Sequence, residues 1–344
     1  MLKWFEQTQD KEPNVVSSRI RLVRNWDQYR FPKSLSPGES EELVKRLEYG
    51  LKDLNELDGT DYEYAYLEEL DELSRRALKE RRILNSSILE KKETVGLIVS
   101  RDESVSLVLN GDDHIRIQLL SSGLHLHQLW NKADQLDDYV NTRFSYAFDE
   151  KYGYLTSFPT NVGTGMRASV TLHLPTLSTG KKFQNLIGDM SRFGVTLRGV
   201  YGEGSENYGS LYEVANQKTL GLSEQEIIDL VKRIANQLNR QEKQVRQLSL
   251  KNHSLEREDE AYKSYGVLKY ARRLSAKDAM VFLSQLMAAS DDGILTFEEP
   301  CSIYRMMLGI QTANLQKLSH KPLSREELDV ARAAYLRKEL PELR

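Results

Sequence analysis

Four short runs of this sequence set arginine among alternating polar and apolar residues. Arg19 and Arg21 lie in SSRIRL, Arg116 in DDHIRI, Arg167 in RASVTLHL and Arg198 in VTLRGVYGEGSE. A guanidinium stays charged and offers planar, paired donors that match the oxygens of a phosphate. Five of them drawn onto one surface would suit a polyphosphate. Two carboxylates stand beside these runs: Asp112 ahead of Arg116, and Glu203 in the glycine turn after Arg198, a turn that also holds Glu206. A carboxylate next to a bound phosphate can aim an acceptor group and take its proton.

Strands are the elements that could gather these side chains. Residues of a strand point alternately to the two faces of a sheet. If residues 112–117 are extended, Asp112, His114 and Arg116 share one face, and Asp113, Ile115 and Ile117 the other. Arg19 and Arg21 likewise oppose Ile20 and Leu22. Arg167, Ser169, Thr171 and His173 oppose Ala168, Val170, Leu172 and Leu174, while Thr196 and Arg198 oppose Val195 and Leu197. Like charges at cross-strand distance repel. A sheet tolerates such a set if an anion lies among them or if the face is open to water. For any single strand the plainer account is a solvated face that uses arginine where threonine or lysine would serve. Four such strands, each beside carboxylates or glycine turns, favour the anion site.

The rest of the chain excludes several alternatives. It has 344 residues, room for two domains, and a net charge of −3, so a globally basic nucleic-acid binder is not indicated. The single cysteine, Cys301, allows neither an internal disulfide nor a cysteine zinc cluster. No long apolar window and no leader-like N-terminus is present, so a cytoplasmic protein without membrane contact is expected. No G-x-x-x-x-G-K-[ST] occurs. The run 202–207 starts like a dinucleotide fingerprint but ends on Asn207 with no helix behind it. Residues 288–299 have Gly293 and Glu299 where a calcium loop wants them, yet Ala288 and Ser290 fill two ligand positions. His125 and His127 do not share a helix face and read as surface residues.

Patterning divides the chain into an N-terminal lead at 1–13, a mixed domain at 14–245 and a helical domain at 246–344. Strands are expected at 15–22, 62–66, 94–100, 105–109, 112–117, 167–174, 195–198 and 211–216. Helices are expected at 37–54, 68–79, 123–141 and 181–193, and, in the tail, at 224–248, 256–273, 276–289, 300–318 and 325–339. Ser36–Glu39, Ser223–Glu226 and Ser324–Glu327 read as capping boxes. The fold class is therefore α+β: an antiparallel sheet flanked by helices, followed by an all-helical C-terminal domain.

The same residues carry a family resemblance. SSRIR at 17–21, DDHIRI at 112–117, TNVGTGMRASV at 160–170 and RGVYGEGSE at 198–206 stand in the order and spacing of the ATP:guanido phosphotransferases, which include arginine and creatine kinases. The wording is most similar to the bacterial McsB-type protein arginine kinases, strongly over 14–245 and more weakly through the tail. The resemblance implies an ATP site made by Ser17, Ser18, Arg19, Ile20, Arg21, Arg116, Arg167, Ala168, Ser169, Val170, Arg198, Gly199, Val200, Tyr201 and Gly202. It implies Asp112 and Glu203 as the catalytic carboxylates, and Mg²⁺ held mainly by phosphates and water. It further implies arginine-bearing protein substrates, marked for stress response or degradation, an activator protein and a homodimer through the C-terminal helices. Because SSRIR begins at Ser17, no helical substrate-enclosing domain is expected before it, which favours a polypeptide acceptor over free arginine.

Five positions depart from the family pattern. Aspartate stands at 112 where the family has glutamate, and Gly111 replaces another glutamate. The shorter side chain withdraws the carboxylate by about an ångström, a displacement that can cost ~10²-fold in rate. Phe158 replaces the reactive cysteine of the S-C-P-T-N loop, and Arg82 aligns with a histidine that contacts the nucleotide. In the tail, Leu328 replaces the first arginine of R-D-x-x-R-A, leaving Asp329, Arg332 and Ala333 as a degenerate allosteric phosphoarginine site. These departures motivate the alternative of a weakened member that binds nucleotide or phosphoarginine without efficient turnover.

Overall fold

A computed structural model describes residues 2–8, 12–201 and 207–344. The strands are β1 (Val15–Arg24), β2 (Tyr62–Tyr66), β3 (Gly96–Ser100), β4 (Val105–Leu109), β5 (Ile115–Ser122), β6 (Phe148–Asp149), β7 (Gly153–Tyr154), β8 (Met166–His173), β9 (Val195–Gly199) and β10 (Leu211–Asn216). Eight of them pair antiparallel in the order β2-β3-β4-β5-β1-β8-β10-β9, and β6 with β7 makes a separate short ribbon. Helices α1 (Pro37–Gly50), α2 (Asn55–Asp58), α3 (Glu72–Glu80), α4 (Ser86–Leu89), α5 (Leu126–Asn141) and α6 (Phe183–Arg192) belong to the sheet domain. The remainder is α7 (Glu224–Asn252), α8 (Ser254–Tyr270), α9 (Ala276–Asp291), α10 (Ile303–Gly309), α11 (Thr312–Lys317) and α12 (Arg325–Glu339).

The apolar face of the sheet lies under α1, α5, α6 and the first half of α7. Ile20, Leu22, Ile117, Leu119, Ala168, Val170, Val214 and Leu197 join Leu47, Leu129, Ala133, Ile227 and Val231 in one buried cluster. The period-2 and period-3.6 patterns meet there, which is what drives the layers together. The helical part does not hang free. Leu120 and Leu211, on the opposite face, are buried with Leu283, Met307 and Leu336 in a second cluster, which also takes in Trp4 and Phe5 of the N-terminal lead. His173 of β8 bonds Ser284 of α9 at 2.8 Å.

Several expected boundaries shift. Residues 112–114 are not extended: β5 begins at Ile115, and the preceding residues form a bend in which Asn110 has φ 58°. Asp113 and His114 are therefore buried in a loop rather than set on alternate sheet faces. The helix expected over 37–54 stops at Gly50, with α2 as a separate turn. The one expected over 300–318 divides into α10 and α11 around Ile310–Gln311.

A buried ion pair pins the sheet to α5. Arg24 Nε and Nη2 donate to Asp137 Oδ2 at 3.0 and 2.7 Å, while Nη1 donates to the Val23 and Thr164 carbonyls. Its guanidinium lies 3.6 Å from the centre of the Tyr154 ring. The glycine loop before β8 closes against this arginine. A Cβ on Gly165, whose φ is +61°, would come within 2.6 Å of Arg24 Nη1, so only glycine fits. Asp137→Ala would leave the guanidinium buried and unpaired, and should lower unfolding stability by about 3–5 kcal/mol in urea titration. A loss under 1 kcal/mol would show that the pair contributes little.

Candidate active site

Pairing brings the five arginines onto the face opposite the apolar one, in an uneven way. Arg19 and Arg21 lie on β1; Arg167 of β8 is directly across from Arg21, and Ser169 from Arg19. Arg116 of β5 is across from Val23 on the other flank. Arg198 stands further out on β9 and is exposed, separated from Arg167 by β10, whose Glu213 is its cross-strand partner. Burial, with neighbouring arginines, draws Arg19 down to about 10 and Arg116 to about 9, although Glu213 opposes the shift on Arg19. Burial lowers Arg21 and Arg167 too. A guanidinium keeps its proton at neutral pH, and the lowering reflects loss of solvent that the nearby carboxylates only partly offset.

Some of their donors are free. Arg21 has no hydrogen-bond or ion-pair partner among the described residues, and its buried Nε is unsatisfied, as are the Nε atoms of Arg116 and Arg167. Buried polar groups are normally paired, and an unpaired one implies a missing ligand or water. Arg167 otherwise donates to the Asn216 carbonyl, and Arg116 to the Ile83 carbonyl.

Two residues outside the motif runs complete this face. Glu213 accepts both of its bonds to Arg19 from Nη2, at 2.9 Å each, and also accepts from Arg82 Nη2. Burial acts to raise the Glu213 carboxyl, but Arg19 and Arg82 outweigh it and hold the group down to about 2. Arg82 also donates to Thr171 Oγ1 at 3.0 Å. It enters from the end of α3, where Arg82 N–H bonds Lys79 O and Ile83 N–H bonds Leu78 O. That is a Schellman end, with Arg82 at the left-handed position, φ 68°, where glycine is usual. Gln118 holds the turn by donating to the Arg82 carbonyl at 2.9 Å. Arg82, Glu213, Arg198, Gly199, Val200 and Tyr201 line a cleft of about 800 Å³, with Gln311 of the helical part on its wall.

Asp112 sits at the opposite end of the face, close enough to act electrostatically on Arg21 and Arg116. Ser87 Oγ donates to its Oδ1 at 2.5 Å and Asn85 Nδ2 reaches Oδ2 at 3.4 Å. Lys91 fixes the bend beneath it through the carbonyls of Asn110 and Gly111. Asp113 is structural: Oδ1 accepts from Asn25 and from the Ser157 backbone, and burial raises its carboxyl. Gly202 and Glu203 lie outside the described residues.

The remaining candidates divide by face. Ser17 and Ser169 share the arginine side, and Arg19 Nε donates to Ser169 Oγ at 3.2 Å. Ile20, Ala168 and Val170 point into the core below, and Ser18 is bound to the start of α5 through Gly123 O and His125 N. Those four cannot present side chains to a ligand on the arginine face. In the tail, Arg332 donates inward to the Ile310 and Leu274 carbonyls and to Asp329, and Ala333 is buried. The arginine thus ties helices together instead of facing solvent. Glu213 had no clear signal in sequence, since alternation over 211–216 groups it with the apolar Leu211 and Ala215. The hydroxyl and amide around Asp112 had none, because they depend on how 85–87 approaches the bend.

Known proteins resemble this chain over most of its length. Residues 42–245 match the model of the ATP:guanido phosphotransferase C-terminal catalytic domain, and residues 254–344 that of the protein-arginine kinase McsB C-terminal domain. The chain is 37% identical over 332 residues to a protein-arginine kinase of Halothermothrix orenii, covering 95% of this chain and 93% of that one. It is 39% identical over 341 residues to a protein-arginine kinase of Bacillus cereus, covering 98% and 95%. Among solved structures, lombricine kinase superposes with a TM-score of 0.58 over 71% of each chain at 20% identity. A duplicated taurocyamine kinase of Schistosoma mansoni gives 0.59 over 72% of this chain and 37% of that one, at 23% identity.

Two buried histidines make the fold acid-sensitive. Nδ1 of His114 accepts from Trp26 N–H at 3.0 Å and Nε2 donates to the Arg30 carbonyl at 2.9 Å. Burial lowers His114 from 6.5 to about 4 and His173 to about 3. A folded value below the unfolded one leaves stability intact above about pH 6.5 and removes it as pH falls toward the folded values. Urea midpoints should therefore drop between pH 6.5 and 4.5, before most carboxylates titrate. His114→Gln should flatten that slope; an unchanged slope in the variant would assign it to other groups.

Proposed function

This chain belongs to the ATP:guanido phosphotransferase family, and we propose that within it the chain is a protein-arginine kinase, moving the γ-phosphoryl group of ATP to the guanidinium of arginine residues in proteins. The observation that carries the site assignment is the set Arg21, Arg116 and Arg167, each with an unfilled Nε donor, beside Arg19 and ending at a carboxylate, Asp112. A polyphosphate laid along that set would satisfy the donors, with its terminal phosphorus at the Asp112 end. Phosphoryl transfer needs alignment and charge neutralisation more than covalent help.

The acceptor is a protonated guanidinium and a poor nucleophile. Asp112, steadied by Ser87 and Asn85, can accept a hydrogen bond from it, orient one nitrogen toward phosphorus and take the proton as the N–P bond forms. The bond from the γ-phosphorus to the bridging oxygen breaks, and ADP keeps the electron pair. Glu203 is proposed as the second carboxylate. Among the described residues no group of three histidine, cysteine or acidic side chains is placed to ligate a metal. Magnesium entering with ATP would take its ligands from phosphate oxygens and water, and would supply further charge neutralisation. No helix among the described residues is long and apolar enough to cross a membrane.

The test is incubation with ATP, magnesium and an unfolded arginine-rich protein, with acid-labile phosphate on arginine read by mass spectrometry. Asp112→Asn should reduce the rate by about 10²–10⁴-fold, and Asp112→Glu should keep or raise it. Calorimetric ATP binding without any phosphoarginine would favour a nucleotide-binding protein instead. Arg21→Gln isolates the cradle. It should cut kcat/KM about 10²–10³-fold while leaving the melting temperature unchanged or higher, because Arg21 has no hydrogen-bond partner to lose among the described residues. A fall in stability with kcat/KM intact would reassign Arg21 to the scaffold.

A further inference from the structure

Glu213 is out of place on a surface built for anions. Among the described residues it is the one carboxylate hydrogen-bonded to the arginines of the cradle, since Asp112 bonds to Ser87 and Asn85 instead. It lies on the cleft wall rather than in the core, with its side chain 20% exposed. It occupies donors on Arg19 and Arg82 that phosphate oxygens would otherwise take.

Arg82 makes the arrangement specific. A non-glycine residue in the left-handed region is strained, and the Schellman position at the end of α3 would be relieved by glycine. Strain of this kind persists where something else holds it. Here the side chain bridges Glu213 and Thr171, and the backbone is gripped by Gln118. The strained turn brings a further guanidinium to Glu213 and to the cleft.

We propose that Glu213 is the site's own anion: it holds Arg19 and Arg82 in the absence of nucleotide, must surrender them to phosphate oxygens when nucleotide binds, and so sets how tightly the nucleotide is held. The inference rests on the reading of this face as the ATP site. A carboxylate within a few ångströms of phosphate oxygens repels them, and in a partly buried site that repulsion is weakly screened. Its return to the arginines when ADP leaves offsets the bare like charges that would otherwise remain. The carboxyl stays ionised throughout the neutral range, so the competition does not switch off with pH.

The experiment measures ATP and ADP affinity by calorimetry on the full chain. Glu213→Gln keeps the shape and removes the charge. It should tighten both nucleotides by about tenfold or more, ATP at least as much as ADP. It should also lower the melting temperature of the nucleotide-free protein while widening the rise produced by ATP, since the cradle has lost its resident anion. An affinity that is unchanged or weaker in the variant would overturn the proposal and make Glu213 a scaffold for the arginines. Should the single variant not fold, Arg82→Gln is compared with Arg82→Gln carrying Glu213→Gln as well. The double variant then binds ATP tighter than the single if Arg19 is released, and no tighter if the proposal is wrong. A wild-type chain that binds no ATP would take the kinase reading down together with this one; failure of the variant alone removes only the role of Glu213.

Discussion

Mutual repulsion among guanidiniums is the constraint that organises this molecule. Arg19, Arg21 and Arg167 stand on neighbouring strands, with Arg116 on the next one and Arg82 leaning in from α3. The sheet can hold them because its other face is a large apolar core. The charges are then managed locally. Glu213 answers two of them, backbone carbonyls answer part of Arg116 and Arg167, and Arg21 has no hydrogen-bond partner among the described residues. A face so incompletely satisfied is a costly way to build a sheet and a good way to build a polyanion site, because a ligand restores what folding withheld.

The position of Arg24 gives a useful contrast. It belongs to the same strand as Arg19 and Arg21, yet every polar contact it makes is internal, to Asp137 and two carbonyls, with an aromatic ring over its plane. Nothing in the run VVSSRIRLVR separates it from its neighbours by residue type. What separates them is the side of the strand: Arg24 alternates with Arg19 and Arg21 and faces α5, where Asp137 waits.

That contrast shows how far sequence could be read. Alternation in SSRIRL and RASVTLHL placed their side chains on the correct faces, because both sheet faces are packed and a slip of one residue would bury charge. The same argument fails at Asp112–His114. Polar residues in a loop can imitate the alternation of a strand, and Asn110 in a left-handed conformation turns the chain before β5 begins. Glu213 lies on a strand with no arginine, so its part in the cradle depends on β10 being inserted between β8 and β9. Arg82 and Ser87 come from irregular turns, whose approach to the sheet is a product of tertiary packing.

Glu80 closes the last turn of α3, two residues before Arg82, and both of its carboxylate oxygens are taken by the first amides of α11, at Ala313 and Asn314. The helical part thereby buttresses the turn that delivers an arginine to the cleft. Severed near residue 253, the sheet would lose a foundation stone beneath one corner of its floor. The tail is masonry of the site, not an annex to it.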